Sequence, residues 1–199
     1  CVPEKHYMAD LTKRVGEIRK MVDAGDYFTI NRGRQYGKTT TLAALARELD
    51  RDYLVISLDF QDIGSASFES ENMFSLAFLR IFLWELEERC TEETSQMAAL
   101  TDRMRKIVEK DDEKFNLLVL FEHLRDFCRY STKPVLLLID EVDSASNNQV
   151  FLDFLAQLRS NYLKREAKGT PAFRSVILAG VYDIKNLKGK IRPEEEHKV

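Results

Sequence analysis

Residues 27–49 read YFTINRGRQYGKTTTLAALAREL, and the change of pattern inside this stretch decides the fold. Tyr27, Phe28 and Ile30 form an apolar run, a glycine-containing loop follows, and then Leu42, Leu45, Ala46 and Leu49 recur at helical spacing. The reading is strand, loop, helix. Gly37-Lys38-Thr39, followed by Thr40 and Thr41, falls where the helix begins. The first N–H groups of a helix have no partner inside it, and the aligned peptide dipoles place roughly half a positive charge there. One ammonium and three hydroxyls on that turn suit a polyphosphate. Lys38 would lie near the β- and γ-phosphates, the Thr39 hydroxyl would enter a Mg²⁺ shell, and Gly37 lets the backbone come close.

The loop is a variant. A phosphate loop places its first glycine five positions before the second; Arg32 stands there, with Gly33 one place later. A GKT tripeptide alone is a weak signal, and its plain reading is a glycine turn into an ordinary helix with an exposed lysine. The strand before it and the helix after it are what favour a nucleotide site.

Working outward, Tyr53 to Phe60 (YLVISLDF) is rich in β-branched and aromatic residues and predicts a second strand. Asp59 closes it, with a turn or cap as the expected role of its carboxylate. Between Phe68 and Tyr130 the pattern is helical. Phe74, Phe78, Ile81, Phe82 and Trp84 mark a helix apolar on more than one face, as in a buried one. A more polar helix runs from about Glu92 to Glu109, and a third from about Phe115 to Tyr130. The aromatic stripe reads as core. Pro134 then opens VLLLIDEVD, whose five aliphatics Val135 to Ile139 fit a central parallel strand covered on both faces. Asp140 and Glu141 lie at its carboxyl end, where ligands of open α/β sheets collect. Asp140 is positioned to hold Mg²⁺, and Glu141 to orient and deprotonate an attacking water. In isolation two acids would simply start a loop; the GKT about a hundred residues upstream gives them a shared purpose.

Phe151, Phe154, Leu155, Leu158 and Tyr162 mark a helix ending near Lys168-Gly169, and Arg174 to Gly180 (RSVILAG) is a further buried strand. At the amino end, residues 1–10 read as irregular. Leu11, Val15, Ile18 and Val22 then share a helix face, with Asp10 as its cap and Gly25 as its stop. His6, Tyr7 and Met8 could touch a base, although packing is their plainer role. Residues 184–199 read as a loosely packed tail.

Lys plus Arg total 30 against 33 Asp plus Glu, a net charge of −3, so the bulk balance does not indicate nucleic-acid binding. With 44% hydrophobic and 32% charged residues, the 199-residue chain has the composition of a soluble globular protein. Cys1, Cys90 and Cys128 are odd in number and far apart, and His6, His123 and His197 do not complete a metal spacing. The thiols read as reduced, in a cytoplasmic protein. No run approaches a membrane span. Starting at Cys1 and stopping in a polar run at Val199, the sequence reads as an excerpt of something longer.

The order strand, GKT, helix, strand, aliphatic strand ending in DE, then another buried strand resembles the phosphate-loop ATPases with an additional strand and a catalytic glutamate, the AAA/STAND-like group. More narrowly, INRGRQYGKTTTL with VLLLIDEVD and SVILAGVYDIKNL is similar to the AAA-like domain of predicted bacterial ATPases, in which the first loop glycine is commonly replaced within an RxRQYGKT or RPRRFGKS loop. The resemblance runs from about Tyr7 to Arg192.

It implies a three-layer α/β P-loop NTPase fold with parallel strands in the order 2-3-4-1, a helical elaboration between strands 2 and 3, and a fifth strand and lid that would lie beyond Val199. One AAA-like domain is implied: an N-terminal segment and helix (1–26), a nucleotide-binding core (27–183) and the tail (184–199). The implied activity is ATP hydrolysis with Mg²⁺, driving conformational change in a partner protein or an additional C-terminal domain, with oligomerisation open. Gly33, Gln35, Gly37, Lys38, Thr39 and Thr40 would bind the nucleotide, Thr39 and Asp140 the metal, and Lys38 and Glu141 would be catalytic. The polar residue expected at the exit of the last strand has no match, since Gly180 and Val181 stand there, with Tyr182 or Asp183 as substitutes. Arg159, Arg165 and Arg174 are candidates for a transferring arginine, a solvated surface role being the plainer reading. Two other functions fit the same residues: a nucleotide-gated signalling or scaffold module with little turnover, and a degenerate, non-binding interaction domain, suggested by Arg32.

Overall fold

The computed structural model of the protein describes residues 3–31, 38–89, 94–145 and 147–180. Its elements in chain order are α1 (Pro3–Ala24), β1 (Tyr27–Asn31), α2 (Lys38–Leu49), β2 (Leu54–Asp59), α3 (Glu71–Arg89), α4 (Ser95–Glu109), α5 (Leu117–Tyr130), β3 (Val135–Asp140), α6 (Gln149–Lys168) and β4 (Ser175–Gly180). The four strands form one all-parallel sheet in the order β1-β4-β3-β2, the order expected from the sequence, with β1 at an edge.

Alternation along the strands divides the core. Val135, Leu137 and Ile139 of β3, with Val176 and Leu178 of β4, face α3 to α6. Leu136, Leu138, Ile177 and Ala179 face Val15, Ile18 and Val22 of α1 and Leu42, Leu45, Ala46 and Leu49 of α2. Helices therefore cover both faces, which is why β3 is an unbroken aliphatic run, all of it buried. On the larger side, Phe60, Phe74, Phe78, Phe82, Phe127, Phe151 and Phe154 are fully buried and in ring contact, the core role the aromatic stripe implied. Trp84 departs from that expectation, being 61% exposed. At about 100° per residue, position 84 has rotated past the Phe74–Phe78–Phe82 face.

The first helix also differs from the sequence reading. It begins at Pro3, so residues 3–10 are helical and Asp10 is interior to α1 rather than its cap. Proline suits a first helical position, where its missing N–H costs nothing. The stop at Gly25 holds: its φ is +85°, its N–H donates to the Val22 carbonyl, and the Asp26 N–H donates to the Met21 carbonyl, the double closure of a helix ending on a left-handed glycine.

The two sheet edges are finished differently. On β2, the outward Ser57 N–H donates to Glu85 Oε1 of α3 at 3.2 Å, which blocks strand addition there. Along β1 runs a groove of about 710 Å³, lined by Tyr27, Thr29, Leu155, Tyr162 and Leu163 among others. Among the described residues no helix is long and apolar enough to cross a membrane.

Candidate functional site

In a parallel sheet every strand ends at the same rim, so Asn31, Gly180, Asp140 and Asp59 line one edge, with Asn31 opposite Gly180 and Asp59 opposite Asp140 in register. The chain leaves β1 at this rim and enters α2 at Lys38. Helix α2 then runs back along the sheet to reach the start of β2. Its amino end, carrying Lys38, Thr39 and Thr40 in the first turn, therefore belongs to the rim that holds Asp140 and Glu141. The side chains of these three residues, and Gly33, Gln35 and Gly37 of the loop, lie outside the described residues, as do Tyr182 and Asp183.

At the exit of β3, the Glu141 N–H donates to Asp140 Oδ1 at 2.8 Å. Glu141 has φ 53° and ψ 38°, the left-handed region, uncommon for a residue with a side chain and found disproportionately at functional sites. A single 3₁₀ turn, Val142–Ser144, follows. Val142 is 2% exposed and anchors this turn in the core. The turn also delivers a residue the sequence reading did not single out. Asp143 lies against the last residue of β4, so that a Cβ built on Gly180 would stand 3.0 Å from each of its carboxylate oxygens. The DEVD pattern is the available signal, but the contact joins positions far apart in the chain and no spacing rule reports it.

Asp59 is a cap, as expected: it accepts the Gln61 N–H at 2.8 Å. Asp59 is exposed, but partial desolvation by its neighbours pushes its carboxyl above the usual aspartate value; the Gln61 N–H offsets part of that, and the charges of Asp140, Asp62 and Glu141 push it further up. Because the folded value lies above the unfolded one, ionised Asp59 is a small liability, reduced by solvent at this exposed position, and stability falls slightly as pH rises through that interval. Asp59→Asn keeps an oxygen for the cap and removes the charge. It is expected to be slightly more stable than the wild type at pH 7, by well under about 1 kcal/mol at an exposed position, with the advantage disappearing in acid where Asp59 is protonated; denaturant titrations at the two pH values check this.

Among the described residues, no group of three or more His, Cys, Asp or Glu side chains could hold a metal ion by itself. Mg²⁺ bound with a nucleotide does not require such a cage, since it relies on one or two protein oxygens together with phosphates and water. The donor set at this rim, a carboxylate at the β3 exit and a helix start whose first N–H groups have no partner within the helix, fits that division of labour.

The arginines belong elsewhere. Arg165 and Arg174 lie at the opposite rim, where β1 and β4 begin. Arg165 Nη1 donates to the Phe173 carbonyl at 2.7 Å and to the Arg174 carbonyl, and Nη2 to the Gly25 carbonyl at 2.6 Å. Its guanidinium stands 5.4 and 5.1 Å from the ring centroids of Tyr27 and Tyr162. Arg174 donates to the Asp23 carbonyl. Arg165 is not a solvated surface residue, Arg174 is half-exposed, and neither is disposed toward the acids; Arg159 is exposed and lines the groove along β1. The Cys128 thiol is free and half-buried, and desolvation pushes it above the usual range, which disfavours the thiolate. Compared with known proteins, the chain matches no protein-family model, no curated protein and no solved structure.

Proposed function

We propose that the protein is a phosphate-loop NTPase domain of the AAA-like kind that binds ATP with Mg²⁺ and hydrolyses it to drive conformational change in a partner or attached domain. The observation that supports this reading is the shared rim: the start of α2 and the acids following β3 stand at the carboxyl edge of one parallel sheet, where ligands of such sheets bind. In this reading the first turn of α2 and the Lys38 ammonium hold the phosphates, with Gly33, Gln35, Gly37 and Thr40 completing the cradle. Thr39 and Asp140 hold Mg²⁺, which neutralises charge on the phosphate oxygens. Glu141 orients the attacking water and accepts its proton. Catalysis of this kind is mainly positioning and charge stabilisation, which a rigid β3 exit favours.

A nucleotide-gated module with little turnover is the second reading. It is favoured by the exposed apolar side chains Trp84 (61%) and Met73 (42%) on α3 and Leu118 (59%) on α5, in the helices between β2 and β3, which a partner could cover. One experiment separates the two: calorimetric titration with Mg-ATP alongside single-turnover hydrolysis. An ATPase binds and turns over, a gated module binds with negligible turnover, and a chain giving neither heat nor thermal shift is no nucleotide-binding domain.

A further inference from the structure

Gly180 is a glycine for reasons of space. Its backbone does not occupy the left-handed region, yet an ideal Cβ there would lie 3.0 Å from Asp143 Oδ1, 3.0 Å from Oδ2 and 3.0 Å from Val142 Cγ2. Contacts that short force a neighbour to move by a few tenths of an ångström; the Asp143 carboxylate can turn only by leaving the end of β4, and Val142 has little room to shift. Val142 is 2% exposed, the Ala145 N–H closes the turn onto the Val142 carbonyl at 3.2 Å, and Ala145 is fully buried. The turn that would have to shift begins immediately after Glu141.

We propose that Gly180 is a positioning residue for Glu141. By lacking a side chain it lets Val142 and Asp143 close over the end of β4, and this closure sets where the Glu141 carboxylate stands above the rim. The inference rests on the ATPase reading. Misplacing a catalytic group by about 1 Å can cost on the order of a hundredfold in rate, so a shift of a few tenths predicts a loss on the order of tenfold.

The test is Gly180→Ala in the full chain, with turnover and Mg-ATP affinity measured separately. The expected result is a kcat lower by about tenfold with Kd within about twofold, a split that a general loss of folding would not produce. Asp143→Ala, alone and combined with Gly180→Ala, supplies the second measurement, because it removes two of the three close contacts. Adding Gly180→Ala to Asp143→Ala should then cost less in kcat, and less in denaturant stability, than adding it to the wild type. Additive losses in both, or a Gly180→Ala enzyme with wild-type kcat, overturn the inference while leaving the ATPase reading in place. A wild-type protein that does not bind Mg-ATP removes that reading, and with it the role assigned to Gly180; the stability cycle still tests the contact itself, since it needs no nucleotide.

Discussion

Glu141→Gln should bind Mg-ATP as the wild type does and turn it over at least about a hundredfold more slowly. The amide is isosteric with the carboxylate, so packing and the left-handed backbone are kept, while the ability to accept a proton from water is lost. A positioned general base contributes roughly 10²–10⁴ in rate, and in the proposed site Mg-ATP is held by the α2 turn and Asp140 rather than by Glu141. Lys38→Ala should behave in the opposite way. Deleting an ammonium that meets phosphate oxygens in a partly desolvated cradle removes a charge-assisted contact, and affinity should fall on the order of a hundredfold or more, with turnover lost at ordinary nucleotide concentrations. Titration calorimetry gives the first quantity and single-turnover phosphate release the second. Equal turnover in the wild type and Glu141→Gln would take Glu141 out of the mechanism. Equal affinity in the wild type and Lys38→Ala would take the α2 turn out of the site.

The backbone at Glu141 bears on the same result. A left-handed conformation costs a residue with a Cβ about 1–2 kcal/mol, and Glu141 is held there at φ 53° by what surrounds it. The Asp140 carboxylate receives its N–H, and the buried Val142 pins the turn beyond it. Strain retained at the exit of the central strand is understandable if it aims a side chain over the rim, and it has no evident benefit to folding.

Which features are legible in the chain follows from the range of the interactions that make them. Val135 to Ile139 announce a central strand because burial on both faces demands an unbroken apolar run, and the alternation of these residues between two cores bears this out. Gly25 and Gly169 announce helix ends because a left-handed stop is a local requirement, and both carry positive φ. The strand order is legible only through the resemblance to phosphate-loop ATPases, since right-handed connections fix the hand of each crossover and leave the order open. The start of α1 is not legible, because Pro3 can equally precede a helix or open one. Trp84 looks buried because apolar residues surround it in sequence, whereas exposure depends on which neighbours α3 acquires. Asp143 against Gly180, and Arg165 under the β1 and β4 starts, are tertiary meetings of distant residues, and no periodicity encodes them. The site residues on the α2 turn are legible as a motif, and what the fold adds is the rim they share with the β3 acids.

Arg165→Met should lower stability by about 2–4 kcal/mol. The guanidinium serves the carbonyls of Phe173, Arg174 and Gly25 at once, and its side chain is 14% exposed. The Phe173 carbonyl keeps the Tyr27 hydroxyl at 2.9 Å, so the loss falls on the Arg174 and Gly25 carbonyls, each costing roughly 1–3 kcal/mol, less where water can enter. Methionine keeps much of the apolar stem between Tyr27 and Tyr162, so the loss reports the hydrogen bonds more than a cavity. For a chain of this size the melting temperature should fall by roughly 5–15 °C. Arg165→Lys should recover little, because a point charge with flexible donors cannot span three carbonyls fixed by a planar fork or stack between two rings. The clamp ties the α1 stop, the end of α6 and the start of β4 at the rim away from Asp140. Arg165→Met that remains folded at low temperature is therefore expected to bind Mg-ATP with unchanged affinity. A variant of wild-type stability whose turnover is abolished would instead make Arg165 a transferring arginine.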